Sequence, residues 1–276
     1  MTARSGTVTG GAHDRAPGPR VLAAFGCPGR PVRLAGGRGT SWRCGDLVLK
    51  PLDGDPGSVE WAALALSDAT RRTARVRWTS PVRSVAGDLV VDGWTAWTYQ
   101  AGAHEPGRWA TAIRAGELFS RALAELPRPA FLDSRADPWA VADRVAWGEG
   151  DLAGLDDDAD VRALRAVARP VRGRPQVVHG DLTGNVLVAR GAAPAVIDPS
   201  IYWRPVGYGT AIVVVDAVVH EGGTFDLLQA AQIQDELPQL LVRAALFRLL
   251  TDHLLGARSS DGAWRPVVAE ICRLAC

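Results

Sequence analysis

The segment VVHGDLTGNVLVARGAAPAVIDPS, residues 177–200, sets two aspartates and one asparagine around a short β region. VLVAR (186–190) and PAVID (194–198) are apolar, β-branched runs joined by GAA, the pattern of a tight hairpin. Antiparallel pairing predicts that Asn185 and Asp198 face each other at the open end of that hairpin. An amide oxygen beside a carboxylate is a pair of hard ligands suited to Mg²⁺. Asp181 lies four residues before Asn185, at the tip of the loop that follows QVV. This spacing leaves Asp181 as a free acceptor apart from the metal pair. Asp and Asn favour turns for local reasons, so the arrangement carries the weight, not any single residue.

On both sides of this segment the pattern is helical. RWATAIRAGELFSRALAEL and DPWAVADRVAWGEG are amphipathic, and LPQLLVRAALFRLLTDHLLGA is a long apolar-striped helix. Upstream of YQAGAHEPG (99–107) the signals change to strands. PVRLAGG, TSWRCG, DLVLKP, RVRWTSPVRSV and DLVVDGWTAWTYQ are separated by Gly/Asp turns. One helix, SVEWAALALSDATRR, interrupts them, with Val59, Ala62, Ala63 and Leu66 at helical spacing behind a predicted N-cap, Ser58. RVLAAFG precedes the strands as a short helix. The expected organisation is α+β and bilobal. A flexible tail covers residues 1–19, a small antiparallel-sheet lobe with one helix covers 20–102, and a larger, mainly helical lobe covers 103–276.

Composition excludes several functions. The 276 residues carry a net charge of +1, which gives no basic field for nucleic acid. The longest apolar stretch, AIVVVDAVV, is too short to span a bilayer, and no signal-peptide run opens the chain, so the expected location is the cytoplasm with no membrane partner. Cys27, Cys44, Cys272 and Cys276 form no CxxC pair, and reduced thiols are expected. Charge is uneven along the chain, at +5 over residues 1–102 and −4 over the rest. The run LDDDAD (155–160) reads as a solvated loop or as an attractor for a cationic ligand. Basic positions are almost all arginine, with 31 Lys+Arg of which Lys50, in DLVLKPLD (46–53), is the single lysine.

The arrangement VVHGDLTGNVLV…VIDP resembles the HGDxxxxN…ID signature of the aminoglycoside phosphotransferase and choline-kinase-like superfamily, small-molecule kinases with a protein-kinase-like fold. The resemblance extends from about residue 21 to residue 255 in motif order. The loop GGRG (36–39) precedes Lys50 in the order glycine loop, strand, lysine, by which that fold covers nucleotide phosphates. The resemblance implies that Gly36, Gly37 and Gly39 approach phosphate oxygens. It gives Lys50 the α and β phosphates and makes Glu60 the partner of Lys50. Tyr99, Gln100 and Ala101, within WTYQAG (97–102), become the hinge whose backbone reads adenine. Asp181 becomes the catalytic base, and Asn185 and Asp198 hold Mg²⁺ on ATP, with GTP not excluded as donor. The acceptor is then a hydroxyl of a small molecule, such as an aminoglycoside, amino-sugar or sugar.

Two departures narrow the expectation. HGD has no arginine before the aspartate, and DPS follows where protein kinases carry a glycine, so protein substrates and activation-loop control are disfavoured. Asp216, in AIVVVDAVV, needs hydrogen-bond donors because it is surrounded by apolar residues. The resemblance makes it a brace for the backbone of the catalytic loop. Tyr202 and Trp203 are candidates to line the acceptor site. A nucleotide-binding pseudokinase scaffold and a protein kinase stand as alternatives.

Overall fold

The computed structural model describes residues 16–35, 39–69, 73–152, 158–230, 236–257 and 262–276. The chain divides into two compact units, residues 1–64 with 79–100, and residues 65–78 with 101–276. The first begins with α1 (Pro19–Ala24), then β1 (Val32–Arg33), β2 (Trp42–Cys44) and β3 (Leu47–Pro51). α2 (Pro56–Ala69) follows and spans the division. The predicted strand RVRWTSPVRSV is broken in two. β4 (Arg77–Trp78) belongs to the second unit, while β5 (Pro81–Val82) joins β6 (Trp94–Thr98) in the first.

In the first unit the sheet runs β1-β2-β3-β6-β5, antiparallel throughout. Its inner face packs Leu49, Ala96 and Cys44 against Val21 and Phe25 of the α1 region. Strand alternation sends Leu49 into this core and turns its neighbour Lys50 to the opposite face. α2 starts earlier than predicted. Asp55 caps it, its Oδ1 accepting from Gly57 N–H at 2.8 Å, and Ser58 lies inside the first turn with its hydroxyl donating to Asp55 O at 2.7 Å. The expectation of reduced thiols is also corrected, since Cys27 and Cys44 form a disulfide with Cα atoms 5.8 Å apart. The pairing arises because β2 returns Cys44 to the turn after α1, a proximity that sequence spacing does not encode. Cys272 and Cys276 are free thiols.

The second unit adds α3 (Trp109–Ala122), α4 (Pro138–Ala146), α5 (Ala159–Val167), β7 (Pro175–His179), β8 (Val186–Leu187), β9 (Ala195–Val196) and β10 (Ile201–Pro205). It ends with α6 (Gly207–His220), α7 (Asp226–Ala230), α8 (Leu237–Leu254) and α9 (Trp264–Ala275). α4 opens on Asp137, which caps Ala140 N–H at 3.0 Å and precedes a proline at the first helical position. Buried residues surround α6 and α8 on nearly all sides, so these two helices form the centre of the core rather than its skin. At its edge Arg204 of β10 forks onto buried Asp143 of α4 and onto Glu149. Asp158 caps α5, and the rest of the acidic run through residue 157 lies outside the described residues. Among the described residues no helix is long and apolar enough to cross a membrane.

Candidate active site

β7 and β10 pair antiparallel with Ile201 opposite His179, and the chain between them carries the three predicted polar residues. His179 is buried, packed edge-on against Phe119 with ring centroids 5.8 Å apart. Its Nδ1 accepts from Asp181 N–H at 3.1 Å, which puts the ring proton on Nε2, 3.3 Å from Ile197 O. The imidazole thus ties the start of the loop to the strand that leads to Asp198. Burial holds its pKa below the ordinary histidine value, against the opposing pull of Asp181 and Asp198. Two glycines let the loop close. A Cβ at Gly180 would run into the Tyr202 ring, and one at Gly116 of α3 would run into Leu182. Tyr202 itself is buried against Phe247, with centroids 5.7 Å apart, so it is a core residue rather than an acceptor-site lining.

The hairpin forms, but its register differs by one from the expectation. Val186 opposes Val196 and Leu187 opposes Ala195, and Ile197 N–H donates to Asn185 O at 2.9 Å. Asn185 therefore faces Ile197, and Asp198 lies one residue beyond. Asp198 adopts φ +48°, a left-handed conformation that ends the strand and releases its side chain from strict strand alternation. A non-glycine residue held there stores backbone strain of a kind concentrated at functional sites.

Asp181 is not the free acceptor that spacing suggested. Its Oδ2 accepts from Asn185 Nδ2 at 3.0 Å, and Asn185 Nδ2 also donates to Asp181 O at 2.8 Å. The signature has four residues between aspartate and asparagine; here only Leu182, Thr183 and Gly184 intervene, a tighter turn in which the amide reaches back to the carboxylate. Asp181 Oδ1 accepts from Arg248 Nη2 at 2.8 Å. Arg248 comes from α8 and also donates to both oxygens of Asp216, from Nε at 2.8 Å and from Nη2 at 2.5 Å. Asp216 thus braces the loop through a guanidinium onto the Asp181 side chain, not directly onto backbone. Even so anchored, the Asp181 side chain is 43% exposed, whereas Asp216 is at 4%.

With Nδ2 spent on Asp181, Asn185 presents its Oδ1 as the oxygen available to a metal, and Asp198 supplies a carboxylate one residue past the pairing. Among the described residues no cluster of three His, Cys, Asp or Glu side chains forms a metal cage. One carboxylate and one amide oxygen nonetheless fit Mg²⁺, which takes few protein ligands and completes its shell with phosphates and water.

In the first unit, Lys50 on β3 is opposite Thr95, with its Nζ 4.6 Å from the centroid of the Trp97 ring. Gly39 has φ +67°, and its carbonyl accepts from Arg33 Nε at 2.6 Å; Gly36 and Gly37 lie outside the described residues. Glu60 does not pair with Lys50. It is exposed and, among the described residues, has no ion pair, because it follows buried Val59 and so points about 100° round α2 from the core stripe. In the segment expected to serve as the hinge, Tyr99 N–H donates to Asp46 O at 2.8 Å, and the Arg43 guanidinium stacks 3.7 Å over the Tyr99 ring. Gln100 Nε2 lies 3.5 Å from Thr98 Oγ1. At Ala101, where the chain returns to the second unit, the carbonyl accepts from Arg77 Nη2 at 3.0 Å.

No protein-family model and no curated protein sequence matches the chain. Solved structures do. An aminoglycoside phosphotransferase from Alicyclobacillus acidocaldarius aligns at 14% identity and TM-score 0.55, covering 96% of this chain and 94% of that one. A microcompartment-associated aminopropanol kinase aligns at 15% identity and TM-score 0.57, covering 93% and 94%. The aminoglycoside phosphotransferase APH(4)-Ia aligns at 14% identity and TM-score 0.59, covering 93% and 97%. The fold is accordingly α+β, of the protein-kinase-like type that these phosphotransferases share.

Proposed function

We propose that the chain is an ATP- and Mg²⁺-dependent phosphotransferase that moves the γ-phosphoryl group to a hydroxyl of a small molecule. The carrying observation is Asp181: a carboxylate held by one donor on each oxygen, yet still 43% exposed, on a loop that also presents Asn185 Oδ1. A carboxylate has about four lone-pair sites, so Asp181 keeps acceptor capacity for a substrate hydroxyl. Its part is to align that hydroxyl and take its proton as the oxygen–phosphorus bond forms. Asn185 and Asp198 would hold Mg²⁺, which neutralises charge on the phosphates when bound. Lys50 is assigned to the α and β phosphates, and the backbone of residues 99–101 to the base.

The neighbours support this reading. A thermostable mutant of APH(4)-Ia has been crystallised with AMP-PNP and hygromycin B, and a spectinomycin phosphotransferase of the same fold with AMP. Phosphoryl transfer asks mainly for positioning and charge neutralisation, and anchored side chains supply both. A scaffold that binds nucleotide without turnover is the second reading, favoured only by Glu60 lying outside any ion pair among the described residues.

An ATP-consumption screen with Mg²⁺ against sugars, amino-sugars, aminoglycosides and amino-alcohols tests the proposal. Asp181→Asn is expected to lower turnover on the order of 10²- to 10⁴-fold, the range of a general base, with nucleotide binding kept. Wild-type protein that binds ATP but consumes it with no acceptor would establish the scaffold instead.

A further inference from the structure

We propose that Arg248 is the positioning residue for Asp181, with Asp216 as its buried anchor. This rests on the phosphotransferase reading and adds to it a residue that no motif names.

Arg248 stands in a helix whose neighbours Leu246, Phe247, Leu249 and Leu250 are all buried. A guanidinium there needs compensation, and its side chain, 14% exposed, finds it on two carboxylates at once. Asp216 alone would balance the charge. Nη2 nevertheless spends one hydrogen on Asp216 Oδ2 and the other on Asp181 Oδ1, so the planar fork links the core to the loop in a set direction. The two carboxylates differ in exposure: Asp216 is sealed and, among the described residues, is paired with Arg248, whereas Asp181 stays open to ligand.

The residue just before Asp181 cannot supply this second donor. Position 180 admits no side chain, because a Cβ there meets the Tyr202 ring. The donor arrives from α8, 67 residues downstream. Asn185 restrains Oδ2 of the same carboxylate, so Arg248 and Asn185 together fix its rotation about the Cβ–Cγ bond. Removing Arg248 leaves Asp181 held on one side only. In this chemistry a misplacement of about 1 Å costs on the order of 10²-fold in rate.

Three variants and a crystal structure decide the matter. Arg248→Ala should lower kcat on the order of 10²-fold while the KM for ATP changes little, and millimolar guanidinium ion should recover part of the loss. Arg248→Lys should remain impaired, since an ammonium lacks the fork that spans both carboxylates. Arg248→Ala also strands the Asp216 charge, so Arg248→Met combined with Asp216→Leu removes the pair together and keeps an apolar, foldable core. A crystal structure of that double variant should show the Asp181 carboxylate rotated or disordered. An unchanged carboxylate in it, or full turnover by the folded double variant, would overturn the proposal. A wild-type enzyme inactive on every acceptor would refute the kinase reading alone, because the crystal comparison still reports whether Arg248 positions Asp181.

Discussion

His179 links the loop's geometry to a measurable pH dependence. It is buried, neutral and accepts a hydrogen bond from the Asp181 backbone, so protonation would break that bond and put a charge in the core. Burial lowers its folded-state pKa below 6.5, the Asp181 and Asp198 charges opposing only in part. Between that depressed value and 6.5 the unfolded chain binds more protons than the folded one, so stability falls as pH falls through this window. The contribution is fully present above pH 6.5 and amounts to about 1.4 kcal/mol per pH unit within the window. Urea titrations of wild type and His179→Gln from pH 7.5 to 5 should show the acid slope reduced in the variant; parallel slopes would mean that the ring binds protons equally in the folded and unfolded chain. At this scale the placement of Asp181 and Asn185 on one short segment was legible because four chain positions separate them, whereas their hydrogen bond was not, since the spacing suggested a free Asp181. Arg248 was not, since an arginine in a leucine-rich helix reads as one that snorkels to water. The buried demand of Asp216 was the one available signal, and it named a need for donors without naming which donor.

Elements were legible where periodicity is local. α3, α4 and α8 follow their amphipathic or apolar stripes, and the antiparallel sheet follows its turns. Properties set by pairing partners were not. Whether Asn185 faces Ile197 or Asp198 is fixed by the turn that joins the two strands, where Ala192 N–H donates to Ala189 O at 3.2 Å, and symmetric pairing of the two runs does not reveal that turn's geometry. The Cys27–Cys44 disulfide depends likewise on β2 folding back to the turn after α1. It closes a loop of sequence separation 17 across the core of the first unit, next to Leu49 and so to the strand that carries Lys50. In the chain-entropy account a loop of this length contributes about 3 kcal/mol. Thiol titration in denaturant should find two reactive thiols in the oxidised protein and four after reduction. Reduction, or Cys27→Ser with Cys44→Ser, should shift the urea midpoint of the first unit downward by a corresponding amount. Four thiols before reduction would contradict the bridge.

At the scale of the whole molecule, the composition provides a probe that few chains allow. Lys50 is the only lysine among 31 Lys+Arg, so an amine-directed acylating reagent has one side-chain target besides the α-amine. Lys50 is half-buried on β3, its ammonium near the Trp97 face while Leu49 on the other side is sealed in the core. If it contacts nucleotide phosphates, ATP with Mg²⁺ should slow its acylation, read as a single mass increment, while labelling of the α-amine is unaffected. Lys50→Arg keeps the charge but replaces a compact ammonium with a longer planar fork. A ligand at 100 times its Kd stabilises the folded state by about 2.7 kcal/mol, which gives wild type a clear rise in melting temperature with ATP and Mg²⁺. That rise should shrink sharply in Lys50→Arg, and turnover should fall with it. Equal stabilisation of the two proteins, together with unprotected acylation, would remove Lys50 from the nucleotide site and leave its solitude in an arginine-rich chain without a functional cause.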